Sequence, residues 1–156
     1  MEKIEAVKSC KLFAGFTDDV VAACAEVFEE KDFEAGGDVF VQGGRGASLY
    51  VVRSGMVQVV ARGRDRRETV LGSLVQGEHF GGMSLLRAGA HLVTARADTN
   101  TEILEMTQQR FLQLQKERPQ AAMKLLIALV MDFTKLVREN EGFFRDSIAA
   151  RAAEGN

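Results

Sequence analysis

The chain has 156 residues, of which 46% are hydrophobic and 27% are charged, a balance typical of an ordinary globular protein. Its formal net charge of −2 argues against a nucleic-acid-binding surface, which is usually basic. The longest apolar run, residues 125–131, is much shorter than the ~20 residues that span a bilayer. We therefore expect a single cytoplasmic domain that has no direct contact with nucleic acid and none with a membrane.

The first predicted element is a helix that starts after Thr17. Thr17 is a suitable N-cap, and Asp18 and Asp19 lie in the first turn, where the helix dipole favours negative charge. One apolar face follows at helical spacing, formed by Val20, Val21, Cys24, Val27 and Phe28.

From Phe33 to about Glu105 the sequence changes to short β-branched or aromatic runs separated by glycines. These runs lie at residues 38–42, 48–52, 56–60, 69–71 and 102–104. Short strands at nearly even spacing with glycine turns predict a β-barrel or jelly roll. With helices on either side, the expected fold class is mostly β with flanking helices (α+β).

Two helices are predicted after the strands, a short one at residues 108–116 and a long one from Pro119 to about Ile148. Alternating spacings of three and four residues on the long helix predict a heptad seam and a homodimer. The seam consists of Met123, Leu126, Val130, Phe133, Val137, Asn140 and Phe144. The alternative is that all of these residues pack within one chain. We treat residues 1–118 as a sensor part and residues 119–150 as a dimerisation element of the same single domain.

Glycines and apolar residues recur in a defined order in residues 33–59 and 71–81. The positions concerned are Phe33, Ala35, Gly36, Asp38, Val39, Phe40, Gly43, Gly46, Leu49, Tyr50, Val51, Val52, Gly55, Val57 and Val59, then Leu71, Leu74, Gly77, Glu78, Phe80 and Gly81. This order resembles the cyclic-nucleotide-binding domain family, which includes the sensor domain of the catabolite activator proteins and the regulatory subunits of protein kinase A. The resemblance covers about residues 12–140. It implies a double-stranded β-helix or β-roll of eight strands, in which the last helix often mediates dimerisation and carries the ligand signal.

Residues 80–97 have the layout of the family's phosphate-binding cassette, a glycine turn, one short helical turn and a return strand. The resemblance implies a Glu that accepts a hydrogen bond from the ribose 2′-hydroxyl and an Arg that pairs with the cyclic phosphate. Gly82 and His91 stand at these two positions, and Leu92 and Val93 replace the small residues that normally follow. The backbone N–H groups at the start of the short helix remain as an anion cradle. The expected pocket residues are Val59, Leu71, Phe80, Gly81, Gly82, Met83, Ser84, Leu85, His91 and Leu92.

Several further charged residues are candidate contacts for a ligand or partner. On a strand, the odd offset of five residues directs Arg96 to the face opposite His91, so we expect a solvated strand charge there. Arg87 is a candidate for an alternative anion contact, and His79 is expected to be a loop or surface residue. The arginines of residues 62–67 predict a solvated turn between two strands, with a partner contact as the alternative.

The expected function is that of a non-catalytic regulatory or sensor domain that binds cyclic AMP or cyclic GMP weakly or not at all. Two alternatives stay open. One is an interaction or dimerisation module with a vestigial pocket, and the other is a cyclic-nucleotide-binding signalling protein that relies on the backbone cradle. We expect no enzyme and no metal site, because the sequence offers no nucleophile–base pair, carboxylate pair or metal cluster with suitable spacing. The expected partners are a second copy of the chain or another protein subunit, since only a short Ala-rich segment follows Ile148 where catabolite activators carry a helix-turn-helix.

Overall fold

The structure is a computed structural model that describes residues 1–155, except for the side chains of Phe143, Phe144, Ser147 and Ile148. The first part contains α1 (Lys3–Ser9), a 3-10 helix (Lys11–Phe13), α2 (Asp18–Glu26), β1 (Glu29–Phe33), β2 (Asp38–Phe40), β3 (Arg45–Gly46), β4 (Ser48–Ser54), β5 (Met56–Arg62) and β6 (Glu68–Val75). The second part contains β7 (His79–Phe80), α3 (Gly82–Leu86), β8 (Gly89–Ala90), β9 (Thr94–Ala97), β10 (Thr101–Thr107), α4 (Gln108–Glu117), α5 (Pro119–Glu139) and α6 (Glu141–Glu154).

The strands form two four-stranded sheets and one short ribbon. One sheet has the order β1-β10-β4-β7, the other has the order β2-β9-β5-β6, and β3 pairs with β8. All of these pairs are antiparallel. This arrangement confirms the predicted class, a mostly β fold with helices on either side.

The alternating side chains of β4 separate two hydrophobic cores, because successive residues of a strand point to opposite faces. Leu49 and Val51 belong to a core shared with the helices, whereas Tyr50 and Val52 belong to the core inside the β-roll. α5 contributes its buried face to the first core through Ala121, Ala122, Leu125 and Leu129. The helices therefore cover one face of the first sheet, and the cassette lies where that face meets the roll.

Strand β1 was not predicted from the sequence. Its three central residues, Glu30, Lys31 and Asp32, are charged and exposed, so the sequence lacks the alternation that marks a half-buried strand. The strand forms because it pairs along its whole length with β10, from Glu29 opposite Glu105 to Phe33 opposite Thr101. Tertiary pairing thus outweighs the local pattern.

The predicted long helix from Pro119 to Ile148 is interrupted at Asn140, which separates α5 from α6. The Asn140 Nδ2 atom donates a hydrogen bond of 2.8 Å to the Leu136 carbonyl oxygen. Asn side chains compete in this way with the helical backbone, and Gly142 adds a residue of low helix propensity. At the other end of the chain, α2 begins at Asp18 as predicted, but the Thr17 hydroxyl donates to the Asp19 carboxylate instead of capping a backbone N–H.

Within residues 1–155, no helix is both long and apolar enough to cross a membrane.

Candidate functional site

The cassette has the predicted layout, in which β7 leads through a glycine turn into α3 and the chain returns along β9. Gly81 adopts a left-handed conformation with φ 80° and ψ 0°, which side-chain-bearing residues seldom adopt. A Cβ atom at Gly81 would also lie 2.7 Å from the Ser48 carbonyl oxygen. Glycine is therefore required at this turn both for its backbone conformation and for the close approach of β4.

The space beside Gly82 is occupied by α5. A Cβ atom at this position would lie 2.7 Å from Leu129 Cδ2 and 3.6 Å from Leu49 Cδ1. Leu129 is only 5% exposed and belongs to the core shared by the helices. Where the family resemblance implies a carboxylate, this chain has direct packing of a leucine against the cassette backbone.

His91 lies in the loop between β8 and β9, and its side chain packs against the β-roll with only 9% exposure. Its ring stacks on Phe40 with centroids 3.7 Å apart and an interplanar angle of 10°. Its backbone is fixed on both sides, because Gly43 N–H donates to the His91 carbonyl and His91 N–H donates to the Gly44 carbonyl, each at 2.8 Å. Burial lowers the pKa of His91, so the ring is favoured in its neutral form.

Three aromatic rings connect His91 to the cassette. Phe40 is tilted against Tyr50 at a centroid distance of 5.7 Å and against Phe80 at 5.9 Å. Tyr50 and Phe80 are stacked at 4.9 Å. The part of the roll next to the cassette is thus filled by the protein's own aromatic side chains.

A cavity of about 240 Å³ lies beside the contact of Leu129 with Gly82 and is lined by both the cassette and α5. Its cassette side is formed by His79, Phe80, Gly81, Gly82, Met83 and Ser84, and its α5 side is formed by Leu129, Asp132, Phe133 and Leu136. His79 Nε2 lies 3.7 Å from Asp132 Oδ2 across the cavity wall. Burial lowers the pKa of His79, although the Asp132 carboxylate acts in the opposite direction. The cavity is mainly apolar and has one acidic group and one histidine at its edge.

The structure brings together only part of the residue set expected for the pocket. Phe80, Gly81, Gly82, Met83 and Ser84 share the cavity described above, whereas Leu85 is 1% exposed and packs in the core of the helices.

The other expected pocket residues lie away from the cavity. Leu71 is 60% exposed on β6, Leu92 is 85% exposed after β8, and Val59 is half-buried on β5. His91 contacts Phe40 and not the cavity. Sequence reasoning did not assign five of the cavity residues to the pocket: His79, Leu129, Asp132, Phe133 and Leu136. For the last four, the available signal was their position on the predicted long helix.

Arg96 lies on the outer side of the second sheet and is fixed by two carboxylates. Its guanidinium lies 2.9 Å from Asp38 Oδ1 and 2.9 Å from Glu68 Oε2. Hydrogen bonds from Arg96 and Arg62 lower the pKa of Glu68 to about 2. Arg87, the other candidate for an anion contact, is exposed at the end of α3.

The expected dimerisation residues lie mostly on the exposed side of α5. Met123, Val130 and Phe133 are 61%, 49% and 40% exposed, Leu126 and Val137 are half-buried, and Asn140 is exposed. The side chain of Phe144 lies outside the described residues. Exposed Ile127 and Met131 extend this apolar surface, whereas Phe133 and Leu136 also border the cassette cavity. α5 thus has a buried face on the cassette and an apolar face open to a partner.

A β-roll with a glycine turn and short helix, covered by a following helix, is the arrangement of a ligand-sensing regulatory domain. A sequence model of the cyclic nucleotide-binding domain matches residues 30–118, which is more than half of the chain. The chain therefore belongs to the cyclic nucleotide-binding domain family, as its resemblance to that family predicted.

Known relatives agree with this assignment. The cyclic AMP receptor protein of Thermus thermophilus is 32% identical over 123 residues, which cover 79% of this chain and 57% of that protein. The crystal structure of the Thermus thermophilus catabolite activator protein has a TM-score of 0.71 at 30% identity, covering 85% of this chain and 62% of that one. The N-terminal domain of a transcriptional regulator from Streptomyces coelicolor has a TM-score of 0.76 at 27% identity, covering 84% and 94%. The chain spans about half the length of the curated relatives it matches.

Proposed function

We propose that this chain is a non-catalytic regulatory domain whose cassette binds cyclic AMP and cyclic GMP weakly or not at all at micromolar concentration. The proposal rests on what occupies the two cassette positions, 82 and 91, at which the family resemblance implies charged side chains. Leu129 packs on Gly82, and the ring of His91 is stacked on Phe40 and favoured as neutral. Neither position offers a charged group to a ribose hydroxyl or a phosphate.

The size of the loss can be estimated from the two missing contacts. A hydrogen bond to a charged group is worth ~1.5–3 kcal/mol, so two of them amount to ~3–6 kcal/mol. This corresponds to a factor of ~10²–10⁴ in affinity. A dissociation constant of about 1 μM would become ~0.1–10 mM. What remains for an anion is the backbone cradle at the start of α3 and the half-buried Ser84.

Calorimetric titration with cyclic AMP and cyclic GMP, supported by thermal shift up to millimolar nucleotide, tests this proposal. Cyclic AMP comes first because the Thermus thermophilus relative is named a cyclic AMP receptor protein. We expect no stoichiometric response at micromolar nucleotide. A stoichiometric micromolar response would instead support the alternative of a true cyclic-nucleotide sensor that uses the backbone cradle.

A second candidate function, an interaction module that forms a homodimer, is favoured by the apolar outer face of α5. That face exposes Met123, Ile127, Val130 and Met131. The opposite face of the same helix contacts the cassette through Leu129 and Asp132. α5 is one helix that carries both the face on the cassette and the apolar face open to a partner. A shift of this helix relative to the cassette would therefore move both faces together.

Val130→Asp is expected to convert such a dimer to a monomer. An uncompensated charge buried in an apolar interface costs ~3–5 kcal/mol, or ~10²–10⁴ in the dissociation constant. Light scattering measures the mass, and circular dichroism checks that the fold is retained. Gln120→Asp is the matched control, since Gln120 is exposed at the start of the same helix and should not change the mass. An unchanged mass for a folded Val130→Asp protein would place any dimer contact elsewhere.

A further inference from the structure

Gly46 leaves room for the ring of His91. A Cβ atom at Gly46 would overlap the His91 Nε2 and Cε1 atoms, so only glycine permits the ring at its present position. The neighbouring ribbon residue Gly89, which pairs with Gly46, has no such neighbour within 4 Å of an added Cβ. The close approach of backbone and ring is therefore specific to Gly46.

One face of the His91 ring lies on Phe40. The near-parallel stack at 3.7 Å is the tightest aromatic contact among the described residues. The hydrogen bonds with Gly43 and Gly44 hold the His91 backbone in place, and this fixes the point from which the ring extends. The space bounded by the Phe40 ring and the Gly46 backbone is therefore a compact aromatic site that the His91 ring already occupies.

We infer that His91 is an intramolecular ligand of the β-roll, whose ring fills an aromatic site between Phe40 and Gly46 and closes it to other molecules. The inference rests on the proposed function, because position 91 is where the family resemblance implies the phosphate-binding Arg. The site takes a neutral, planar heteroaromatic ring of the size of imidazole. Phe40 contacts Phe80, and Phe80 lines the cassette cavity. A different occupant of the aromatic site would therefore shift the wall of that cavity.

The test is rescue of His91→Gly by free imidazole. The substitution removes the ring and leaves a cavity that imidazole itself can fill, as small apolar or aromatic molecules fill engineered cavities. Imidazole at ten times its dissociation constant is expected to raise the Tm of His91→Gly by about 3–6 °C. The unaltered chain and His91→Gln, in which a side chain still occupies the space, should not respond. The rise should be larger at pH 8 than at pH 6, because only neutral imidazole reproduces the buried ring.

A Tm of His91→Gly that responds no more than that of the unaltered chain overturns the inference. If His91→Gly does not fold, the intact chain supplies the measurement, since it contains only two histidines. In proton NMR the ring protons of His91 should be shifted upfield by Phe40 relative to those of His79, and His91→Gln assigns them. Ring protons at ordinary positions would exclude the stack.

The outcomes are separable from those of the proposed function. Micromolar cyclic nucleotide binding by the unaltered chain would contradict the proposed function and leave imidazole rescue unaffected. A flat nucleotide titration with no rescue would contradict the inference alone.

Discussion

The double variant Gly82→Glu/His91→Arg is expected to respond to cyclic AMP at concentrations ~10²–10⁴ lower than the unaltered chain. The new carboxylate would accept a hydrogen bond from the ribose 2′-hydroxyl, and the new guanidinium would pair with the cyclic phosphate. His91→Arg also removes the ring that fills the aromatic site on Phe40. Calorimetric titration of the variant beside the unaltered chain measures the gain.

Leu129 determines how easily Gly82→Glu is accommodated. Its Cδ2 atom lies 2.7 Å from where the new Cβ would stand, so it must move. The atom is the far end of a flexible side chain, and Leu129 also borders the cavity of about 240 Å³. We therefore expect Leu129 to turn into the cavity and the fold to persist, with a lower Tm than that of the unaltered chain.

Gly82→Gln/His91→Gln is the control for this gain. It places uncharged polar side chains at the same two positions, and it should titrate like the unaltered chain. If the charged variant is folded and still does not respond, these two positions do not account for the weak binding. Leu92 and Val93, which replace the small residues of the family cassette, would then be the next positions to change.

The sequence predicts most of the fold because its strands are local patterns. The runs at residues 48–52 and 56–60 lie within β4 and β5, and the helix after Thr17 begins at Asp18. The exceptions depend on contacts that no local window contains. The charged strand β1 exists through pairing with β10, and the break at Asn140 depends on one side chain turning back to a carbonyl oxygen.

The candidate site is less predictable for the same reason. The sequence shows that Gly82 lacks a carboxylate, but it does not show that Leu129, 47 residues later, fills the vacant space. It shows His91 at the position of an arginine, yet the stack joins the loop after β8 to Phe40 on β2, which is distant in sequence. A glycine at position 46 has several explanations from the sequence alone, and only the fold shows that it accommodates a ring.

Gly46→Ala and Gly89→Ala are expected to have opposite effects on stability, although the two glycines face each other in the β3–β8 ribbon. An alanine at position 46 would overlap the His91 ring, and overpacking of this kind costs ~1–3 kcal/mol. An alanine at position 89 meets nothing within 4 Å and restricts the unfolded chain, which favours the folded state by up to ~1 kcal/mol. At ~2–4 °C per kcal/mol for a chain of this size, thermal unfolding resolves the two variants.

A double-mutant cycle identifies the cause of the Gly46→Ala effect. If the ring of His91 is the obstacle, the loss of stability caused by Gly46→Ala should vanish when His91→Gly is already present. The coupling free energy would then equal most of the ~1–3 kcal/mol measured for the single variant. A penalty that persists without the ring would arise from the Gly46 backbone itself. In that case glycine at position 46 would serve the backbone of strand β3, and Gly46 would have no part in holding the ring on Phe40.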